Sequence, residues 1–546
     1  MKKNILLTAI FAALALSSCY EDKSTLPDNP IDGVELNITE AEKIIRVGYK
    51  EQLDIVPNLT KNGKADDAGL TYEWAINLFP GWSKTEYEVV GTEKELHTVL
   101  TNDVNNDCYY LRLLVTDTQH DDLQYSFLYQ IYVQPSMLDG LLIADTKDGQ
   151  TSDLNLVMNK QLTAWYDKDE KIFRNILSDK DAAYPGLVKS LTPTHVGNYP
   201  ATNLMWVIDE NGKAGAYNTE DYSLTGMDKC FINQPERVDV VMRIGQQVCA
   251  ATDMGFFAVM NTNFTMSYFA WPTAAAGAYP IDNGIYAAIS ASSIGSNYSG
   301  YALGAWYCNE KDVFVSADVN YMGVAPAEFN NPNKYDLSNK RAVCGGMSVD
   351  EITPTFLLKD EVTGEYAIYV LSRQMDAEGE YDADWNWTET VPAKPSAIKN
   401  EYVIPAEGKT LLDKAVATSF AAMESILYVA TADGVYTINF AGATPTVNST
   451  SQFTASGEQI TGMKLYQQGQ YITVYDNVAN PDYPENGGWE KLAWNNRAVV
   501  VTTQKGDEGV VYVVPMKNLG TGNLDASAAL RYDGFGRILA VSATCY

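Results

Sequence analysis

The stretch ILYVATADGVYTI at residues 426–438 decides the fold of this chain. Two apolar runs, residues 426–430 and 435–438, lie on either side of the dipeptide Asp433-Gly434. An Asp-Gly pair between apolar runs is the strongest short sequence signal for a β-hairpin. The stretch is therefore predicted to form two antiparallel strands joined by a tight turn.

The same pattern recurs in the chain after residue 136. Further hairpins with Asp, Asn or Gly at the turn are predicted at residues 141–157, 205–217, 248–259 and 498–514. Recurrence at a loose spacing of roughly 45–70 residues is typical of a β-propeller, in which each blade is a four-stranded sheet. Residues 136–546 are predicted to form a propeller of seven blades. Six blades, eight blades or a stack of β-sandwiches are the alternatives.

Residues 34–135 show a denser series of strand-like segments without a helical period. The clearest segments are residues 34–38, 52–56, 71–76, 109–117 and 125–133. About seven short strands in roughly 100 residues is the size and rhythm of an immunoglobulin-like β-sandwich. Trp74 is expected to fill its core. The predicted fold class is thus all-β, with an N-terminal sandwich followed by a propeller.

The first residues of the chain read as a leader. Lys2 and Lys3 precede an apolar run at residues 5–16, which is too short to span a bilayer of about 30 Å. Leu16-Ser17-Ser18-Cys19 then resembles a bacterial lipobox, which implies a signal peptide at residues 1–18 and a lipid on Cys19. The pair Glu21 and Asp22 resembles the lipoprotein export signal of Bacteroidota. Residues 19–33, rich in Asp, Pro and Asn, are predicted to be a lipidated flexible tether.

The composition excludes some partners. The formal net charge is −30, which argues against nucleic acid and against docking on anionic lipid, since both require clustered Lys and Arg. Membrane attachment is therefore expected through the lipid anchor alone. The six cysteines after Cys19 show no CxxC spacing and are predicted to be buried free thiols.

The sequence offers little catalytic chemistry. Three histidines are present, at His97, His120 and His195, and no hydrolase, zinc or phosphate-binding motif appears. Residues 382–386 resemble half of a calcium loop but lack its glycine and closing glutamate. No catalytic residue, metal or cofactor is predicted. A pair of carboxylates acting on a glycan remains the enzymatic alternative.

Two segments are predicted to be long functional loops, residues 376–400 and 477–496. Tyr381 stands among six acidic residues in the first of them. Exposed aromatic rings stack on sugars or anchor protein partners, whereas the alternative is that these rings only cover the edge of the propeller. The predicted ligand-binding residues are Trp385, Trp387, Tyr483, Trp489 and Trp494.

The strands at Tyr72-x-Trp74 and residues 111–117 resemble those of a PKD-type domain, although the usual Gly-Asp-Gly is replaced by Phe79-Pro80-Gly81-Trp82. The end of the chain, from Tyr532-Asp533-Gly534 onward, is similar to the propeller end of PKD-like lipoproteins. Together with the lipobox and the domain order, the chain resembles PKD-like surface lipoproteins of Bacteroidota.

This resemblance implies a non-enzymatic lipoprotein on the cell surface, anchored in the outer membrane. It would serve as a ligand-binding or scaffolding accessory of a SusC/SusD-type uptake system for glycans or peptides. The implied partners are a SusC-like transporter and a SusD-like lipoprotein. The alternatives are a propeller glycan hydrolase or lyase that uses carboxylates, and a structural partner that binds no ligand.

Overall fold

The computed structural model divides the chain into two compact units, with the boundary between Ser136 and Met137. Both units are built almost entirely of β-strands. The structure describes residues 33–81, 86–105, 107–137, 140–163, 166, 169–194, 204–219, 221–244, 247–260, 269, 272–281, 284–288, 303–318, 326–348, 353–375, 377–382, 385–468 and 494–544.

The first unit is a β-sandwich. Its strands are β1 (Val34–Leu36), β2 (Ile44–Gly48), β3 (Gln52–Ile55), β4 (Leu59–Lys61), β5 (Leu70–Asn77), β6 (Tyr87–Gly91), β7 (Leu96–Val99), β8 (Tyr109–Asp117) and β9 (Leu123–Gln134). One sheet has the order β2-β9-β8-β5-β6, and the remaining strands pair as β1-β4 and β3-β7. Strand β2 runs parallel to β9, whereas the other neighbours in this sheet are antiparallel.

The core of the sandwich forms because β8 alternates strictly between buried and half-buried residues, which places one face inward. Trp74 of the neighbouring strand β5 is fully buried, and its ring centroid lies 5.7 Å from that of Tyr129. Its indole N–H donates to the Glu93 carbonyl at 3.0 Å, so its polar atom is satisfied. The prediction that Trp74 fills this core is confirmed.

The strands of the second unit are β10 (Leu141–Thr146), β11 (Asp153–Met158), β12 (Lys171–Phe173), β13 (Val188–Thr194), β14 (Leu204–Asp209), β15 (Ala214–Asn218), β16 (Leu224–Thr225), β17 (Val238–Ile244), β18 (Gln247–Thr252), β19 (Gly255–Met260), β20 (Pro272–Ala275), β21 (Tyr286–Ala288), β22 (Leu303–Cys308), β23 (Val313–Asp318), β24 (Pro326–Glu328), β25 (Lys340–Ser348), β26 (Thr353–Asp360), β27 (Tyr366–Ser372), β28 (Glu378–Tyr381), β29 (Trp387–Val391), β30 (Ala397–Val403), β31 (Ala415–Phe420), β32 (Ile426–Thr431), β33 (Val435–Asn439), β34 (Thr446–Phe453), β35 (Gln459–Leu465), β36 (Ala498–Lys505), β37 (Glu508–Lys517), β38 (Asn523–Leu524), β39 (Leu530–Phe535) and β40 (Arg537–Ala543). Short α-helices span Ile176–Lys180, Met227–Cys230 and Ala406–Leu412, and 3-10 turns span Ala41–Lys43 in the sandwich and Ala526–Ala528 here.

These strands form a seven-bladed propeller over the described part of the second unit. From the innermost strand outward, the blades are β40-β10-β11-β12, β13-β14-β15-β16, β17-β18-β19-β20, β21-β22-β23-β24, β25-β26-β27-β30, β31-β32-β33-β34 and β35-β36-β37-β39. The prediction of seven blades is confirmed. The C-terminal strand β40 supplies the innermost strand of blade 1 and closes the ring. Gly140 and Thr544 fasten this closure, because their backbones are joined by a 2.8 Å hydrogen bond.

The five hairpins predicted from sequence are the central strand pairs of blades 1, 2, 3, 6 and 7. The first strand of each hairpin is the second strand of its blade, and neighbouring blades cover both of its faces. All six residues of β32, for example, are buried. Strands covered on both faces read as continuous apolar runs. The central pairs of blades 4 and 5, β22-β23 and β26-β27, were not predicted.

The turn of the hairpin at residues 426–438 differs from the usual Asp-Gly turn, in which both residues take a positive φ. Neither Asp433 nor Gly434 does so here. Glycine instead leaves room for the outermost strand, since a Cβ atom at position 434 would lie 2.4 Å from Oγ of Ser451, which would have to rotate away, and 3.2 Å from the Phe453 carbonyl oxygen. The Asp-Gly signal therefore predicted the hairpin correctly, although the turn is not of the usual Asp-Gly type.

The five cysteines that the structure describes are all buried and free, which confirms that prediction for them; they are Cys108, Cys230, Cys249, Cys308 and Cys344. Cys545 lies outside the described residues. Burial raises the pKa of Cys230 to about 12. Within the described ranges, no helix has the length and apolar character needed to cross a membrane.

Candidate ligand-binding hairpin

The segment at residues 376–400 is not the loop that the sequence predicts. Strands β28 and β29 form an antiparallel hairpin inserted between the third and fourth strands of blade 5, and β30 then begins at Ala397. The prediction failed because every residue of β29 is exposed, so the strand has no apolar face to give an alternating pattern.

The base of this hairpin is fixed by Met375 and Lys394, whose backbones exchange two hydrogen bonds of 2.8 Å. Above them, Tyr381 lies directly opposite Trp387 in the ladder. Thr390 is displaced by a bulge between Glu378 and Gly379, and its hydroxyl donates to the Glu378 carbonyl at 3.1 Å. The hairpin is therefore an ordered extension of the blade.

The tip of the hairpin is organised by Asp382. Its Oδ1 accepts the backbone N–H of Asn386 at 2.9 Å, and its Oδ2 accepts the side-chain amide of the same residue at 3.0 Å. The Trp385 N–H donates to the Asp382 carbonyl at 3.0 Å, and Trp385 takes a φ of 63°. The Asp382 carboxylate thus closes the turn. This contact gives a structural role to the acid that opens the half calcium loop noted in the sequence.

Three aromatic side chains come together on this hairpin and are here named the aromatic cluster: Tyr381, Trp385 and Trp387. The Tyr381 centroid lies 5.8 Å from that of Trp385 and 5.0 Å from that of Trp387. Their exposed fractions are 61%, 81% and 46%, respectively. Large aromatic rings normally lose most of their exposed area in folded proteins. A cluster with this much exposed area is therefore an apolar surface that a ligand can cover.

The surroundings of the aromatic cluster are acidic. The exposed residues Glu380 and Glu389 lie in its two strands, and no Lys or Arg occurs between Arg373 and Lys394. Aromatic faces attract sugar rings, apolar side chains and cations, and nearby carboxylates add hydrogen-bond acceptors. The arrangement can therefore hold a ligand that presents a flat apolar face with hydroxyl, amide or ammonium donors at its edge.

The other predicted ligand-binding residues do not join this cluster in the described structure. Trp494 is half-buried and packs against the core between blades 1 and 7, which includes Leu141 and Val500. Tyr483 and Trp489 lie outside the described residues, as do His195 and the predicted lipidation and export residues Cys19, Glu21 and Asp22.

The remaining histidines are held by acids in the sandwich. The Nδ1 atom of exposed His97 lies 2.7 Å from Asp54, and hydrogen bonds to Asp54 and Glu95 raise the pKa of His97. His120 lies 2.7 Å from the buried carboxylate of Asp117. Among the described residues, no group of three or more His, Cys, Asp or Glu side chains is placed to hold a metal ion.

A second surface feature is a cleft of about 620 Å³ between blades 4 and 5. It is lined by Ile285, Arg341 and Lys359, among others. Arg341 lies 3.7 Å from Glu361, and Lys359 lies 3.4 Å from Asp413. Because Arg341 and Lys359 are already paired with acids, their charges are less available to a ligand. The cleft is therefore a weaker candidate site than the aromatic cluster.

Comparison with known proteins gives a family match for part of the chain and several distant structural neighbours. Residues 19–181 match the model of the PKD-like family. No curated protein matches the chain. Among solved structures, the chain is similar to a quinonprotein alcohol dehydrogenase-like protein from Bacteroides thetaiotaomicron, with 12% identity, 93% of this chain and 96% of that chain covered, and a TM-score of 0.33.

Two further structures show a comparable likeness. AztD from Citrobacter koseri has 9% identity, with 87% of this chain and 98% of that chain covered, and a TM-score of 0.33. BamB from Moraxella catarrhalis has 11% identity, with 73% and 89% covered, and a TM-score of 0.31. At these scores the likeness says nothing about activity or ligand. The chain is thus an all-β protein with a PKD-like region followed by a β-propeller.

Proposed function

We propose that this protein is a lipid-anchored surface protein that captures a glycan or peptide at the aromatic cluster and hands it to a SusC/SusD-type uptake system. The observation that carries the proposal is the exposure of Tyr381, Trp385 and Trp387 on one ordered hairpin. Exposed aromatic rings of this kind are favoured anchors of binding surfaces.

The expected affinity is modest. Each ring can contribute about 0.5–1.5 kcal/mol beyond the burial of its area, and all three rings of the cluster are exposed. Confinement by a lipid anchor would offset weak binding, since several anchored copies raise the effective concentration of sites beside a transporter.

The anchored location rests on the sequence of the leader. Cys19 follows small residues at the end of a short apolar run, and Glu21 and Asp22 follow it directly. The acidic composition supports attachment through acyl chains, because a net charge of −30 would be repelled by anionic lipid. The match of residues 19–181 to the PKD-like family agrees with the resemblance from which the uptake role is proposed.

The enzymatic alternative, a hydrolase or lyase that uses two carboxylates, has limited support. In the described innermost strands, which surround the axis of the propeller, Asp239 is the sole acidic residue. Arg237 lies 2.6 Å from its carboxylate. A pair of carboxylates about 5–9 Å apart, as glycoside hydrolysis requires, is therefore not supplied by these strands.

The test is a screen of glycan and peptide arrays with the soluble protein that begins after Cys19, followed by incubation of each bound ligand with the same protein. Binding of a defined ligand class without turnover supports capture. Formation of a specific product would establish the enzyme instead. Absence of binding on both arrays, together with co-purification with a transporter, would establish the structural role.

A further inference from the structure

The innermost strands carry a charge opposite to that of the whole chain. The chain contains 69 acidic and 39 basic residues. In the described innermost strands Asp239 is the one acidic residue, whereas the basic residues are Lys189, Arg243, Lys340, Arg341, Lys464 and Arg537. Basic residues therefore outnumber acidic ones along the strands that surround the axis of an acidic protein, although Lys340 and Arg341 are paired with Asp360 and Glu361.

Lys464 of β35 differs from the basic residues at the start of β25. Lys340 lies 3.4 Å from Asp360, so its charge is paired. No described carboxylate lies within 4 Å of the Lys464 ammonium. Its Nζ instead donates to the Val541 carbonyl at 3.4 Å, on the innermost strand of the neighbouring blade.

The Lys464 side chain is both accessible and surrounded by protein. It is exposed to solvent, although its ladder partner Val500 is buried. Burial nevertheless lowers the pKa of Lys464. Both observations fit a side chain that projects into the axial opening of the ring, where water reaches it and protein encloses it.

A second cation lies at the same end of the ring. In each blade the innermost strand is antiparallel to the second strand. Because the blades of a propeller repeat one arrangement around the axis, the innermost strands all run in one direction. Arg243 and Lys464 are the penultimate residues of β17 and β35. They lie on blades 3 and 7, which are three steps apart in the ring. The hairpin of the aromatic cluster, placed between a third and a fourth strand, opens on this same face.

We propose that the axial opening at this face binds a small oxyanion, a carboxylate or phosphate group, with Lys464 as its principal donor. An ammonium group has three N–H donors, and the contact with Val541 leaves two of them for a ligand. Charge-assisted hydrogen bonds are the stronger class, and an enclosed site strengthens them further. The proposal does not depend on the function of the aromatic cluster.

The test is calorimetric titration of the soluble protein with inorganic phosphate and, separately, with acetate at constant ionic strength. Lys464→Met is expected to weaken binding of the preferred anion about tenfold or more. Lys189→Met, which removes an exposed cation at the opposite end of the ring, is the matched control and should leave binding unchanged. Absence of binding of both anions to the wild-type protein, or equal binding to Lys464→Met, would overturn the proposal.

A second measurement uses the unmodified chain and so does not depend on the folding of a variant. Brief acetylation followed by peptide mapping by mass spectrometry reports the accessibility of each amine. The anion that binds should slow acetylation of Lys464 and leave that of Lys189 unchanged. Equal rates at Lys464 with and without the anion would contradict the proposed site.

Discussion

The ring of Trp387 lies over Gly379 on the facing strand of the hairpin. A Cβ atom at position 379 would lie 2.6 Å from Cζ2 of Trp387 and 2.3 Å from the Thr388 carbonyl oxygen. Both distances are far below van der Waals contact. Glycine at position 379 therefore sets where the Trp387 ring lies and how closely the two strands approach.

Replacement of Gly379 should impair ligand binding by the aromatic cluster without lowering the stability of the fold. We expect Gly379→Ala to displace the Trp387 ring and to weaken ligand retention as strongly as Trp387→Ala does. The melting temperature should change little, because β28 and β29 are almost entirely exposed. Affinity capture of the ligand found on the arrays, combined with thermal melts, measures both effects.

The matched control for this variant is Gly442→Ala. The nearest atom to a Cβ at position 442 is 3.9 Å away, so the added methyl group meets no obstacle. Retention by Gly442→Ala should equal that of the wild-type protein. If Gly379→Ala retained ligand as well as Gly442→Ala, the placement of Trp387 would have no part in binding.

The parts of the fold that the sequence predicted are those in which local residues determine the structure. The central hairpins combine continuous apolar runs with turn residues, as in blade 6. In blade 4 the turn before Val313 takes its positive φ at Asp312, with no glycine, and so gave no Asp-Gly signal. In blade 5 the turn at residues 361–365 is longer, with Gly364 at positive φ.

Other features depend on contacts between distant residues and could not be read locally. The pairing of β10 with β40 joins the start of the propeller to its end. Several outermost strands are too short to show a pattern, as is β16, which has two residues. The aromatic residues of the candidate site were predicted by type. Their hairpin was missed because it has no buried face.

A buried ion pair in the sandwich gives a prediction about stability and pH. Burial by itself would raise the pKa of Asp117, but hydrogen bonds from Lys61 and His120 outweigh it and lower the pKa to about 2. Lys61 Nζ lies 2.9 Å from Asp117 Oδ2, and both side chains are buried. Asp117→Asn should lower the free energy of unfolding by about 3–5 kcal/mol at pH 7, because it leaves the Lys61 charge uncompensated.

The effect of this substitution should depend on pH in a defined direction. The folded-state pKa of Asp117 is lower than the unfolded value of about 3.9, so its contribution is complete above pH 4 and is lost as the pH falls towards 2. Urea denaturation at several pH values measures the free energy of unfolding of both proteins. The difference in this free energy between wild type and Asp117→Asn should become smaller as the pH falls over that interval. Asp122→Asn, at an exposed acid in the same turn, is the control. A difference that stays constant down to pH 2 would exclude the ion pair as its source.

The anchor is tested in the cell. Cys19→Ser should abolish incorporation of labelled palmitate and move the protein from the membrane to the soluble fraction. Replacement of Glu21 and Asp22 by alanine should leave lipidation intact and remove the protein from the cell surface, as shown by resistance to added protease. Palmitate labelling of Cys19→Ser would refute the lipobox, and surface exposure of the alanine variant would refute the export signal.

The most direct test of the account is the affinity of Trp385→Ala and Trp387→Ala for the ligand found on the arrays. Each substitution should weaken binding about tenfold, equivalent to about 1.4 kcal/mol, and the double variant should show no measurable binding. Val362→Ala is the matched control, since Val362 is an exposed apolar residue with 76% of its surface accessible and lies outside the hairpin. Its affinity should equal that of the wild-type protein. Wild-type affinity in the double variant would contradict the central claim that the aromatic cluster is the ligand-binding site.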